Sequence, residues 1–131
     1  MPYIILFVLF FFYEFTYAGC ENGDCHNGYG TYIWFNGDTD DRSWSHGDKF
    51  IGYFKNGKIH GQGSYFYSNG NVYVGNYFNG YKHGYGIITY SSGKKFSGYF
   101  KNNLRHGKGT FTNINGKEKL IEYRNGIVIK K

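Results

Sequence analysis

The sequence is poor in acidic residues and in cysteine. It has 9 Asp and Glu against 15 Lys and Arg, for a formal net charge of +6, so paired carboxylates for acid–base catalysis are scarce. Its 2 cysteines, five residues apart, do not make a zinc site by themselves. With 131 residues, the chain is also too short for a barrel or doubly wound enzyme of ordinary size.

Aromatic residues and glycine are abundant instead. The chain contains 15 Tyr, 13 Phe and 21 Gly. So many aromatic residues argue against a disordered chain. So many glycines argue against a helical bundle, because each interior Gly costs about 1 kcal/mol relative to Ala. Tyr, Phe and Gly together favour strands and turns, so we predict an all-β protein.

The N-terminus has the features of a secretory signal. Residues 3–13 form an unbroken apolar run, which is shorter than the roughly 20 residues of a membrane-spanning helix but suits a signal peptide. Thr16 and Ala18 are small residues placed for cleavage after Ala18. We therefore predict a signal peptide at residues 1–19 and an exported protein. Glu14 disfavours the alternative, an uncleaved anchor extended through Ala18, because an acid at the centre of a span costs about 2.5–3.5 kcal/mol.

The two cysteines allow two different modifications. Residues 17–20 read Tyr-Ala-Gly-Cys and resemble the bacterial lipoprotein signal, usually Leu-Ala-Gly-Cys, whose cysteine carries the lipid. Cys20 is therefore a candidate lipidation site. In an oxidising compartment, Cys20 and Cys25 could instead form a disulfide. The sequence leaves both alternatives open.

A 23-residue repeat organises the rest of the chain. His60-Gly61-Gln62-Gly63 recurs at residues 83–86 and 106–109, and the turn dipeptides at 69–70, 92–93 and 115–116 keep the same phase. Asn-Gly between apolar runs is a strong hairpin signal, because both positions of the two-residue turn need positive φ. We therefore predict two antiparallel strands per repeat and a meander of successive repeats. An earlier fragment, from Asn27, is followed by an insertion at about residues 38–47.

The glycines within the predicted strands have a specific expected role. Gly52, Gly75 and Gly98 occupy the same position of successive repeats. Glycine inside a strand usually marks a bulge or the close approach of another group. We expect a neighbouring aromatic ring to lie over each of these glycines.

The repeat resembles a known family. The pattern Phe50-x-Gly52-x-Phe54-x-x-Gly57-x-x-x-Gly61-x-Gly63, repeated at 73–86 and 96–109, is similar to the MORN repeat (membrane occupation and recognition nexus). With degenerate flanking copies, the resemblance covers roughly residues 25–128, and we assign residues 20–131 to one MORN-repeat domain. The resemblance implies an elongated single-layer antiparallel sheet of hairpins. It also implies a binding or scaffold role that is non-catalytic and needs no cofactor.

The histidines of the repeat invite comparison with a metal site. His60, His83 and His106 are in phase, and two strands per repeat place equivalent residues about 10 Å apart. One zinc ion needs its nitrogen ligands at about 2.1 Å. We therefore predict no metal site, and we expect the imidazoles to form hydrogen bonds with neighbouring turns.

Two groups of residues are our candidates for a binding surface. They are the aromatic residues at one repeat position and basic residues near one connection: Phe54, Tyr77, Phe100, Lys58, Lys82 and Arg105. A basic ridge would contribute about 1 kcal/mol per charge near an anionic bilayer. We therefore predict binding to a membrane surface or to a membrane or envelope protein, by a lipoprotein or a secreted, periplasmic protein. The alternative interpretation is that the lysines keep sheet edges from aggregating.

Other functions and assemblies are also considered. An exposed aromatic row would suit a glycan or a peptide. An enzyme would have its site in the insertion at residues 38–48, with Asp40, Asp41 and His46 as its residues. Nucleic acid is not an expected partner of an exported protein. Exposed strands at the ends of the array allow oligomers by edge pairing.

Overall fold

The computed structural model describes residues 19–35 and 46–131. Residues 1–18 of the predicted signal peptide and most of the predicted insertion, including Asp38, Asp40 and Asp41, lie outside the described residues. No described residue belongs to a helix that is long and apolar enough to cross a membrane. The strands are β1 (Gly19–Gly23), β2 (Tyr29–Ile33), β3 (Lys49–Lys55), β4 (Lys58–Phe66), β5 (Val72–Phe78), β6 (Tyr81–Thr89), β7 (Lys95–Lys101), β8 (Leu104–Thr112), β9 (Glu118–Arg124) and β10 (Ile127–Lys130).

The strands form one open sheet in the order of the sequence. Each strand pairs antiparallel with the strand before it and the strand after it, from β1 to β10. Each complete 23-residue repeat contributes two consecutive strands, such as β3 with β4 and β5 with β6. The predicted all-β meander of hairpin repeats is therefore confirmed.

The strands are joined by two kinds of turn. Between β3 and β4, Asn56 and Gly57 both have positive φ, at 50° and 73°, as a two-residue type I′ turn requires. The connection between β4 and β5 is different. Gly70 N donates to Tyr67 O at 2.9 Å, and in this turn only Gly70 has positive φ. The Asn69-Gly70 hairpin is thus confirmed, but its turn is a three-residue loop that ends in glycine.

A row of glycines crosses the sheet. Gly30, Gly52, Gly63, Gly75, Gly86, Gly98 and Gly109 pair in register from β2 to β8. A Cβ added to Gly75 would lie 2.7 Å from Tyr73 Oη, and one added to Gly98 would lie 2.8 Å from Phe96 Cζ. The aromatic ring expected over these glycines is therefore present.

The rings above the glycine row form the core. We call this side of the sheet the inner face. Successive rings meet nearly edge to face, with centroids 5.2–5.7 Å apart and interplanar angles of 81–90°. We name this stack the aromatic ladder, and it runs in the order Phe54, Phe50, Tyr77, Tyr73, Phe100, Phe96, Tyr123. Such contacts are worth about 0.5–1.5 kcal/mol each beyond their area burial, so they stabilise the array along its length.

Backbone hydrogen bonds join the two ends of the connection that carries the insertion. Trp34 N donates to Asp48 O at 3.0 Å, and Gly47 N donates to Trp34 O at 2.8 Å. The connection between β2 and β3 therefore runs from 34 to 48, whereas residues 67–71 suffice between β4 and β5. Of the candidate enzyme residues, His46 is described. It is exposed, and its ring centroid lies 5.3 Å from that of Phe35.

Candidate binding surfaces

The aromatic residues that we predicted as a binding surface belong to the core. Phe54, Tyr77 and Phe100 expose only 7%, 5% and 4% of their area. Tyr77 and Phe100 each lie between two rings of the 50, 73 and 96 positions, and Phe54 packs against Phe50 at the end of the ladder. The prediction is wrong for these three residues, because rings that lie flat on glycine leave room for their neighbours to pack against their edges.

The predicted basic residues divide between the two faces. Lys82 Nζ lies 5.2 Å from the ring centroid of Tyr67 and 5.4 Å from that of Tyr73. Lys58 directly precedes buried Ile59, which occupies the repeat position of Lys82, so Lys58 points to the opposite face. The predicted single basic ridge is therefore wrong, since a shift of one residue along a strand changes the face.

Arg105 is the inner-face counterpart of Lys82 in the next repeat. Its guanidinium lies 4.4 Å from the ring centroid of Phe96 and donates to Tyr123 Oη at 3.0 Å. It also donates to Tyr90 Oη. Burial, together with the nearby charge of Arg105, lowers the pKa of Lys82 to about 8. These cations lie over the rings of the ladder and lose part of their hydration there, so they are components of the core.

A buried carboxylate that sequence reasoning missed fixes the first complete repeat. Asp48 is 1% exposed, and it accepts hydrogen bonds from Tyr65 Oη and from Ser68 N, both at 2.7 Å. Burial and the hydrogen bond to Asp48 raise the pKa of Tyr65. One repeat later, Asn71 Oδ1 accepts from Ser91 N at 3.0 Å. Asp48 and Asn71 are 23 residues apart, and this spacing is the sequence feature from which the turn-to-turn contact could have been predicted.

The histidines have structural partners in the next turn. His60 Nδ1 accepts a hydrogen bond from Asn79 N at 3.2 Å, and His106 Nδ1 accepts one from Asn125 N at 3.1 Å. The expected hydrogen bonding to neighbouring turns is confirmed for these two residues. Within residues 19–35 and 46–131, no three His, Cys, Asp or Glu side chains converge on a metal-sized site.

The two cysteines form a disulfide at the N-terminal end of the ladder. Cys20 and Cys25 are joined, with their Cα atoms 5.7 Å apart. A Cβ added to Gly30 would lie 2.8 Å from Cys25 Sγ, so sulfur covers this glycine where other repeats use a ring. A lipid on Cys20 would occupy the same sulfur atom. The two modifications are therefore mutually exclusive, and lipidation stays a prediction.

The opposite side of the sheet, which we call the outer face, carries the exposed aromatic residues. Tyr29 and Tyr53 are 56% and 52% exposed, and Tyr85 and Tyr99 are 45% and 55% exposed. Each pair meets across neighbouring strands, with centroids 5.2 Å and 5.5 Å apart. The sequence did not show that this is the exposed aromatic row, although all four tyrosines directly flank members of the glycine row.

An amide pair lies between the two tyrosine pairs. Gln62 and Asn76 are register partners, and Gln62 Nε2 donates to Asn76 Oδ1 at 2.7 Å. All six residues stand next to the glycine row and follow it across the outer face from β2 to β7. We call them the tyrosine–amide row: Tyr29, Tyr53, Gln62, Asn76, Tyr85, Tyr99.

The charge beside this row has one sign. No Asp or Glu occurs between Asp48 and Glu118, so strands β3 to β8 contain none. Strand alternation and register place several lysines on the outer face: Lys49, Lys55, Lys58, Lys95, Lys101 and Lys108. The outer face of these strands is therefore both aromatic and basic.

Comparison with known families agrees with the repeat geometry. The family model described as MORN repeat matches residues 26–39, 50–72, 73–95 and 96–118. The matched ranges include the fragment before the insertion. No individual curated protein matches the chain.

Proposed function

Because the chain belongs to the MORN-repeat family, whose repeats are generally non-catalytic and indicate a binding or scaffold role, we propose that it is a binding scaffold at a membrane or cell surface. The outer face is the docking surface in this proposal. The inner face holds the array together. The protein reaches its place of action by export, through the predicted signal at residues 1–19.

The lack of acidic residues on the outer face of strands β3 to β8 is the observation that carries this proposal. Lysines on strands β3 to β8 surround exposed tyrosines, with no carboxylate in these strands to compensate their charge. Each lysine near an anionic bilayer contributes about 1 kcal/mol. Tyrosine is enriched at membrane interfaces, where its ring is amphipathic. A surface of this kind fits an anionic membrane or envelope surface.

Attachment at the N-terminus has two forms in this proposal. A lipid on Cys20 would tether the array to the membrane, whereas the Cys20–Cys25 disulfide belongs to a protein without that lipid. A tether would raise the effective concentration of the outer face at the membrane and strengthen a weak electrostatic contact. The intact mass of the protein from its native membranes distinguishes the two forms.

Sedimentation with lipid vesicles tests the proposal. We expect the protein to bind vesicles of phosphatidylglycerol and phosphatidylcholine, and to bind phosphatidylcholine alone much less. The variant Lys55→Glu/Lys101→Glu reverses two outer-face charges, and we expect it to bind at least ten-fold more weakly. Added salt should weaken the wild type in the same way.

The control changes the same net charge elsewhere. Lys117→Glu/Lys119→Glu alters exposed positions in the turn before β9 and on the inner face of β9, where Lys119 is the register partner of Phe111. Binding by this variant should stay within about two-fold of the wild type. An equal loss in both variants would show that only net charge matters, and the outer face would not be the docking surface.

A further inference from the structure

The tyrosine–amide row has the periodicity of an extended polymer. Its members lie on consecutive strands from β2 to β7, and neighbouring strands are about 4.8 Å apart. That step is close to the advance per monosaccharide in an extended β-1,4-linked glycan. A glycan crossing the strands would therefore present about one sugar to each member of the row.

The residue types in the row match what a sugar offers. Tyrosine rings are apolar over their faces and polar at the hydroxyl. They can pack against the C–H face of a pyranose and hydrogen-bond to its hydroxyls. The mutual hydrogen bond of Gln62 and Asn76 leaves the Gln62 carbonyl oxygen and the Asn76 amino group to serve further hydroxyls.

The charge beside the row selects an acidic glycan. Lys55 and Lys101 lie two residues beyond Tyr53 and Tyr99 on the same strands, and Lys58 is the register partner of Lys55. Ammonium groups form short, charge-assisted hydrogen bonds with carboxylates. With no acid in strands β3 to β8, a neutral glycan would leave these charges unused.

We propose that the tyrosine–amide row binds an acidic, β-1,4-linked polysaccharide, which lies across the strands of the outer face. The inference rests on the proposed function, because it names the ligand class of the same docking surface. The tyrosine pairs hold sugar rings at two places, and the amide pair orients the sugars between them. The flanking lysines bind the carboxylates of uronic acid units.

Single-stranded nucleic acid is a poorer match to this geometry. Binding sites for it stack successive bases on aromatic side chains. Here the tyrosine pairs are four strands apart, which is about 19 Å. Within each pair the rings meet at 77° and 73°, so they do not form a parallel slot for a base.

Calorimetric titration with defined oligomers tests the inference. The probes are oligomannuronate, which is β-1,4-linked and acidic; cellohexaose, which has the same linkage without charge; and oligo(dT). We expect oligomannuronate to bind at least ten-fold more tightly than either of the others. Tyr99→Ala should weaken oligomannuronate binding at least ten-fold, whereas Tyr81→Ala removes an exposed tyrosine outside the row and should change it less than two-fold.

The outcomes separate this inference from the proposed function. Urea unfolding midpoints close to that of the wild type, measured for both tyrosine variants, show that the fold is retained. If anionic vesicles bind through the outer-face lysines but oligomannuronate does not bind, the glycan site is wrong and the docking surface stands. If oligo(dT) binds as tightly, or Tyr99→Ala has no effect, the glycan assignment is also overturned. If neither vesicles nor oligomannuronate bind, both proposals fail.

Discussion

The two faces of the sheet use the same aromatic residues in opposite ways. Tyr73 and Tyr77 on the inner face expose 0% and 5% of their area, whereas Tyr53 and Tyr99 on the outer face expose 52% and 55%. All four lie in the first strand of a repeat, Tyr53 in β3, Tyr73 and Tyr77 in β5 and Tyr99 in β7. Burial in this sheet therefore depends on what each ring has beneath it and beside it, and not on its residue type.

The difference comes from glycine. An inner-face ring at position 50, 73 or 96 lies on a pair of glycines, and its neighbours pack against its edges. On the outer face the row that neighbours the glycine row is made of Tyr, Gln and Asn, so no ring can lie flat across it. A single layer thus gains a core on one side and keeps an aromatic, basic surface on the other.

Removing one ring from each face should separate them most clearly. We expect Phe96→Ala to lower the free energy of unfolding by about 3–5 kcal/mol, because it leaves a cavity in the ladder between Phe100 and Tyr123. Tyr99→Ala should cost less than about 1 kcal/mol, since its ring is already half-exposed. Urea denaturation of both variants measures the contrast. Similar losses would mean that the outer tyrosines also form part of the core.

A side chain placed beneath a ring should destabilise the inner face even though no aromatic group is removed. We expect Gly86→Ala to lower the free energy of unfolding by about 3 kcal/mol, because its Cβ would collide with the ring of Tyr73. Ser97→Ala, on the outer face of β7, should change it by less than about 0.5 kcal/mol. A tolerated alanine at position 86 would show that the ring does not need the glycine row.

Reduction of the disulfide tests whether sulfur takes the place of a ring at the N-terminal end of the inner face. In the soluble, unlipidated protein, reduction should lower the free energy of unfolding by about 2 kcal/mol for so short a loop. Cys20→Ser should already show that loss and should not respond to reductant. If the stability of the unlipidated wild-type protein does not respond to the reductant, the disulfide is contradicted.

The smallest effect concerns the cation above the ladder. The pKa of Lys82 is lowered to about 8 in the folded state, so its side chain releases a proton above that pH. In the unfolded state, Lys82 has the ordinary lysine pKa of 10.5 and keeps this proton to a higher pH. The unfolded state then binds more protons, and stability should increase as the pH rises through this window. Urea denaturation between about pH 7 and pH 9.5 should detect this rise.

A variant without the Lys82 ammonium group tests whether that group causes the increase of stability with pH. Lys82→Met should flatten the pH dependence, whereas Lys58→Met on the exposed side of the turn should preserve it. The buried tyrosines act in the opposite direction, but only above about pH 10, because burial raises their pKa values. An unchanged slope in Lys82→Met would show that another group is responsible.

Much of the fold was predictable because it is local. The positive φ of Asn56 and Gly57 follows from a two-residue turn between apolar strands. The ring above Gly75 follows from a glycine inside a strand. The candidate site was less predictable. Lys58 and Lys82 appear equivalent near one connection, but their repeat positions differ by one residue, and this places them on opposite faces.

The sequence by itself determined the 23-residue period, the meander and the positions of the turns, because each depends on residues a few positions apart. Only the tertiary structure decided which aromatic row is buried. That choice depends on the glycines that neighbouring strands bring into register, and on the packing of each ring against rings from the next repeat. The same pairing left Tyr53 and Tyr99 exposed on the outer face, where each meets a tyrosine of the neighbouring strand, a contact that alternation along one strand does not specify.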